Sequence, residues 1–130
     1  MPSFSEMWEA IRKGDHQQVV AYLNAGYKVN TRDDTGRTAL LMAAFHGQGQ
    51  IVDTLVESGA NVNAKTVDGL TPLQLGVKAW RQNYWIASTL IEAGADVHAS
   101  DKWGSTALSG AREKGDDRVI LLLMDAGADY

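Results

Sequence analysis

Apolar positions along this chain recur in a fixed pattern of helical stripes separated by polar turns. Leu40, Leu73 and Leu108 each open a short stripe. A second stripe follows each one at three-to-four residue spacing: Ile51/Val52 with Leu55/Val56, Ile86 with Leu90/Ile91, and Val119/Ile120 with Leu123/Met124. That spacing is the apolar face of a helix. Gly36-Arg37-Thr38-Ala39-Leu40, Gly69-Leu70-Thr71-Pro72-Leu73 and Gly104-Ser105-Thr106-Ala107-Leu108 introduce the first stripes, spaced by 33 and then 35 residues. Gly26, Gly59, Gly94 and Gly127 follow the second stripes at spacings of 33, 35 and 33. A constant period in this range predicts a stack of two-helix units.

The residue types explain the period. A threonine at the head of a helix accepts a hydrogen bond from an otherwise unpaired backbone N–H, and Pro72 just after it sits where its missing N–H costs nothing. The glycines that close the second helix supply a left-handed cap. Polar stretches such as Asn63 to Asp68 are predicted to be hairpin-like loops leading into the next unit.

These phrases resemble the ankyrin repeat, whose pattern D-x-x-G-x-T-P-L-x-x-A-A-x-x-G precedes V-V-x-x-L-L-x-x-G-A-D-V-N-A. Asp33-Asp34-Thr35-Gly36 through Ala43-Ala44 to Gly47, then Ile51 to Ala64, match most closely. The resemblance runs from about Glu6 to Asp129. It implies an all-α solenoid of stacked helix-turn-helix units with hairpin-like loops, in one domain over 1–130 with repeats at about 4–32, 33–65, 66–100 and 101–130. Met7-Trp8-Glu9-Ala10 replaces the Thr-Pro-Leu opening in the first unit, and Gln17 and Gln18 stand at usually apolar positions. The first and last units are expected to act as caps, and polar substitution in a terminal unit suits that task.

The step of 35 places two extra residues between the helices of the third unit, in Lys78-Ala79-Trp80-Arg81-Gln82-Asn83-Tyr84-Trp85. Elsewhere Gly14, Gly47 and Gly115 supply a tight turn at this point. Trp, Tyr and Arg often dominate interface energetics, so the enlarged loop is a candidate contact. The alternative is structural: Trp80 extends the first helix of the unit and Trp85 packs under the second.

The resemblance also implies a concave groove, built from hairpin tips and first helices, that grips partners. Position by position this groove would collect Arg12, Lys13, Arg32, Arg37, Lys65, Lys78, Lys102 and Lys114 against Asp34, Asp68 and Glu113. It would also hold Thr35, Phe45, His46, Val67, Leu70, Ala79, Ser100, Trp103 and Ser105. Eight of the twelve Lys/Arg fall there although the net charge is −4. Most other carboxylates, from Asp53 to Asp129, fall on the second helices and the turns behind. A positive groove with aromatic anchors implies a protein partner with an acidic surface, scattered solubilising charge being the plainer reading. The expected contact set is Arg32, Arg37, Phe45, His46, Lys65, Leu70, Lys78, Trp80, Arg81, Tyr84, Lys102 and Trp103. The implied function is a protein–protein interaction module acting as adaptor or stoichiometric inhibitor, an immunity-type inhibitor among them. Nucleic-acid binding through the same cations is the alternative, disfavoured by a pI near 5.2.

Composition narrows the rest. A chain of 130 residues with 45% hydrophobic content builds one domain with an ample core. It contains no cysteine, which suits a reducing compartment and removes thiol chemistry. Met1-Pro2-Ser3-Phe4-Ser5-Glu6 has neither a basic nor an apolar run, and no stretch approaches the ~20 apolar residues of a membrane span. The expectation is a complete small cytoplasmic protein, monomeric on its own, with Leu121 and Leu122 leaving a modest apolar patch at the uncovered end. His16, His46 and His98 are isolated, so no metal site is expected. Asp33/Asp34 and Asp116/Asp117 are read as loop and helix-start residues. With no phosphate loop, neither cofactor nor catalytic residue is expected, and the chain is not read as an enzyme.

Overall fold

A computed structural model describes residues 2–129. It contains eight α-helices among the described residues: α1 (Phe4–Lys13), α2 (His16–Asn24), α3 (Ala39–Phe45), α4 (Gly49–Glu57), α5 (Pro72–Val77), α6 (Asn83–Glu92), α7 (Ala107–Lys114) and α8 (Asp117–Asp125). Consecutive helices pair into four hairpins, which stack so that α1, α3, α5 and α7 form one layer and α2, α4, α6 and α8 the other. This is the all-α solenoid that the period requires.

Local chemistry sets each boundary. Thr38, Thr71 and Thr106 accept hydrogen bonds from the backbone N–H groups of Leu41, Gln74 and Ser109, and Pro72 occupies the first turn of α5. At the far end of α4, Gly59 at φ +93° turns the chain so that Gly59 N–H reaches the Val56 carbonyl and Ala60 N–H that of Leu55. Two carbonyls left open by the helix end are thereby satisfied. The polar loops fold as anticipated: Asp33, Thr66 and Asp101 donate their backbone N–H to the carbonyls of Arg37, Leu70 and Ser105, at 2.9, 2.9 and 3.0 Å.

The seam between the layers holds the core. Met7, Leu40, Leu73 and Leu108 line up along it with Ile51, Leu55, Ile86, Leu90, Val119 and Leu123, all essentially inaccessible to water. Polar side chains then tie one unit to the next. Asn30 Oδ1 accepts from Asn61 N–H at 2.8 Å, and Asn63 Oδ1 from Asp96 N–H at 2.8 Å. Trp8 of the first unit, at the position held by Leu41, Gln74 and Ser109 in the others, donates its indole N–H to Asp33 Oδ2 at 2.8 Å.

Candidate protein-binding surface

The first-helix layer and the hairpin tips enclose an open groove. Its central hollow, about 600 Å³, lies between Phe45 and Trp80, with Leu70, Leu75 and Ala79 beneath. A hollow of about 190 Å³ adjoins it through Phe45 and Leu75 and ends at Arg37. A third, of about 300 Å³, shares Leu70, Gln74 and Lys78 with the first and is bounded by Trp103 and Glu113. Together they run along the second, third and fourth units.

The anticipated contact residues separate into groups. Phe45, Trp80 and Trp103 are 57%, 80% and 65% exposed, which for rings of this size is unusual in a soluble domain. Leu70 is half-buried in the groove. His46 packs edge-on to Phe45, and burial, with the nearby Arg12 charge, lowers its pKa from the ordinary histidine value. Helix α5 ends at Val77, so Trp80 projects from the loop and does not lengthen the helix. Arg81 lies 5.6 Å from the Trp80 ring and turns its guanidinium toward Gln48 at 3.2 Å. Tyr84 stands apart: it lies in the first turn of α6, faces the last unit, and carries Arg118 over its ring at 4.1 Å. Trp85 packs back on the second unit, donating its indole N–H to Asp53 at 2.9 Å.

Charge in the groove is more balanced than a tally along the sequence indicates. Arg37 pairs with Asp33 at 3.3 Å, Lys78 with Glu113 at 3.1 Å and Lys102 with Asp68 at 2.7 Å. Glu9 holds both Arg12 and Lys13, at 2.5 and 3.5 Å. Arg32 is turned to the carbonyls of Gly36 and Lys65, and Lys114 to that of Ala79. Lys65 is exposed at a hairpin tip. Two of these pairs, Lys78–Glu113 and Lys102–Asp68, bridge neighbouring units, so their partners lie a full repeat away in sequence. Such exposed pairs contribute roughly 0–1 kcal/mol each and exchange readily with charges brought by a partner.

Sequence reasoning missed how the third-unit loop is seated. Gly14, Gly47 and Gly115 make their turns at φ +73°, +70° and +72°, whereas in the third unit Gln82 takes the left-handed conformation at φ +55°. Its side-chain oxygen accepts from Gly49 N–H at 2.8 Å. A Cβ at Gly49 would stand 2.8 Å from that oxygen and 2.8 Å from Trp85, and one at Gly47 would stand 2.8 Å from the Arg81 carbonyl oxygen. The glycines at 47 and 49 were the available signal, since a glycine opening a helix such as α4 has a reason beyond the turn before it.

Among the described residues no group of His, Cys, Asp and Glu could hold a metal ion. No helix among them is long and apolar enough to cross a membrane.

Comparison with known proteins agrees with this geometry. The family model for ankyrin repeats (3 copies) matches residues 7–101. The chain is 32% identical over 119 residues to the inactive serine/threonine-protein kinase TEX14 of Bos taurus, covering 92% of this chain and 8% of that protein. It is 33% identical over 67 residues to an ankyrin repeat-containing protein of Schizosaccharomyces pombe, covering 52% of this chain and 32% of that one. A third relative, M-phase phosphoprotein 8 of Rattus norvegicus, is 34% identical over 67 residues, covering 50% of this chain and 8% of its own length. The chain thus spans a small part of the curated relatives it matches. The matching phrases, the paired helices and the stacked layers agree, and the chain belongs to the ankyrin-repeat family.

Proposed function

We propose that this domain, divided into repeats at about 4–32, 33–65, 66–100 and 101–130, binds another protein through its concave face and third-repeat loop. It acts by occupying a surface, as adaptor or stoichiometric inhibitor, and changes no bond. The observation that carries this reading is the continuous open groove flanked by three exposed rings, Phe45, Trp80 and Trp103. Exposed aromatic side chains beside apolar hollows are the usual anchors of protein recognition. Nucleic-acid binding through the same cations is disfavoured by a pI near 5.2. The proposed location is the cytoplasm and the proposed free state a monomer.

Affinity capture from the native host tests the reading with three baits: the parent, a groove variant carrying Phe45→Ala and Trp103→Ala, and a back-face variant carrying Glu57→Lys and Glu92→Lys. A partner that binds as proposed is retained by the parent and the back-face variant and lost from the groove variant. Retention by the groove variant together with loss from the back-face variant would overturn it. Duplex DNA in a gel shift is the control, and salt-sensitive binding there would point to the nucleic-acid alternative.

A further inference from the structure

The central hollow has a shape and charge that specify its occupant more narrowly than the groove as a whole. We infer that the space between Phe45 and Trp80 receives one large apolar side chain of the partner, with carboxylates on the residues flanking it. The inference rests on the concave-face reading above and adds the chemistry of the bound segment.

Size and lining come first. A hollow of about 600 Å³ lies within the ~300–1,000 Å³ typical of ligand pockets. Its lining is mainly apolar, with Leu70, Leu75 and Ala79 between the Phe45 and Trp80 rings, and His46, Gln74 and Lys78 supply its polar groups. An apolar side chain placed there exchanges water for contact on three sides.

Charge distribution then selects the neighbours. Neither this hollow nor the one adjoining it at Phe45 is lined by a carboxylate. Their charged groups are both cations, Lys78 in the central hollow and Arg37 in its neighbour. Asp33 and Glu113, which pair with those cations, lie outside both linings, Glu113 lining the third hollow with Asp101 on the far side of Lys78. Lys78 and Glu113 are 58% and 71% exposed, so their pairing is weak and a partner's carboxylate can replace Glu113 at little cost. An apolar centre between two cations is complementary to an apolar residue between acids.

The receptor is also preformed. Gln82 accepts from Gly49, Arg81 bonds to Gln48, Trp85 bonds to Asp53, and Lys114 bonds to the carbonyl of Ala79. These contacts bracket Trp80 on both sides, so its ring stands on an anchored loop. Gly49 opens a helix, where alanine is the better former. The glycine is accounted for by the space that Gln82 and Trp85 need above it. A wall fixed before binding spares the entropy of ordering it afterwards.

Three blocked pentapeptides test this against the full chain labelled with nitrogen-15: phenylalanine between two pairs of aspartates, phenylalanine between two pairs of lysines, and alanine between two pairs of aspartates. The expected result is a saturable shift of the Trp80 indole signal and the Leu75 and Ala79 amides with the first peptide only. Trp80→Ala, which removes an exposed ring and leaves the core intact, should weaken that peptide at least about tenfold. Gly49→Ala should weaken it less while removing no side chain from the hollow. Equal binding of the lysine or alanine-centred peptide overturns the inference, as does a shift pattern away from Phe45 and Trp80. If the acidic peptide fails while capture of the cellular partner still depends on Phe45 and Trp103, this inference falls and the concave-face reading stands. If both fail, the concave-face reading falls with it.

Discussion

Replacing Asp33 by asparagine should reveal how strongly the first unit is tied to the second. Its carboxylate is 6% exposed. One oxygen accepts from the Trp8 indole at 2.8 Å; the other accepts from Thr35 N–H at 2.9 Å, the Thr35 hydroxyl at 2.8 Å and Arg37 N–H at 2.9 Å. Burial alone would raise the pKa of this group, but the bonds from Trp8, Arg37 and Thr35 outweigh it and hold the carboxyl well below the usual carboxylate range. Asparagine keeps an acceptor for the loop and sets an N–H₂ donor against the indole donor. Hydrogen bonds to a charged group are worth about 1.5–3 kcal/mol, so the loss of the Trp8 bond and of the charge should cost about 2–3 kcal/mol. With an unfolding entropy of about 2.1 cal/mol/K per residue, a chain of this length should melt roughly 7–11 °C lower. The dependence on pH is the sharper assay. Because the folded-state value is depressed, the stabilisation is fully present above the unfolded value of about 3.9 and is lost as pH falls toward the folded one. Urea denaturation of the parent and Asp33→Asn should therefore give a constant gap from pH 5 to 8 that narrows steadily below pH 4. Asp34→Asn, one residue on and exposed, should change stability by less than about 0.5 kcal/mol. A gap that stays constant to pH 2, or an Asp33→Asn cost no larger than that of Asp34→Asn, would refute the reasoning.

Leu73→Ala, at the centre of the seam, should cost about 2–5 kcal/mol in chemical denaturation and retain a helical circular dichroism spectrum, because it opens a cavity shared by two units. Gly49→Ala should destabilise by about 1–2 kcal/mol despite the better helix former, since the new methyl displaces Gln82 and Trp85; amide exchange over residues 79–85 should quicken, and a stabilised variant would contradict the docked-loop geometry. Leu121 is 61% exposed at the open end of the stack; sedimentation at high concentration should return the monomer mass for both the parent and Leu121→Asp, and a dimer abolished by the substitution would show that this end associates.

Much of the architecture was legible because the determinants of each unit are local. Thr38, Thr71 and Thr106 announce helix starts, Gly26, Gly59, Gly94 and Gly127 announce helix ends, and the stripes between them have one period, so one unit read correctly supplies the rest. The exposure of Phe45 and Trp103 followed from their places in that period. What could not be read depends on which side chains meet across a unit boundary. Lys78 finds Glu113 and Lys102 finds Asp68 only after stacking, so counting charge by position overstated the free positive charge. Tyr84 and Trp80 are close in sequence yet differently placed, because the first turn of α6 turns Tyr84 toward the last unit while the loop leaves Trp80 in solvent. The insertion was visible as a break in spacing, but its seat on the second unit depends on steric room at Gly47 and Gly49 that no spacing encodes.

The seat of that loop also sets the grain at which this chain can be rearranged. Repeat proteins are commonly lengthened, shortened or recombined one unit at a time, since each unit meets only its neighbours through a shared pattern. Here the second and third units are no longer interchangeable parts: one carries bare backbone where the other lays its enlarged turn. Transplanting the third unit beside a neighbour with alanine at the positions of Gly47 and Gly49 would leave Arg81, Gln82 and Trp85 without a berth. The smallest segment that can be duplicated or grafted with its surface intact is the pair.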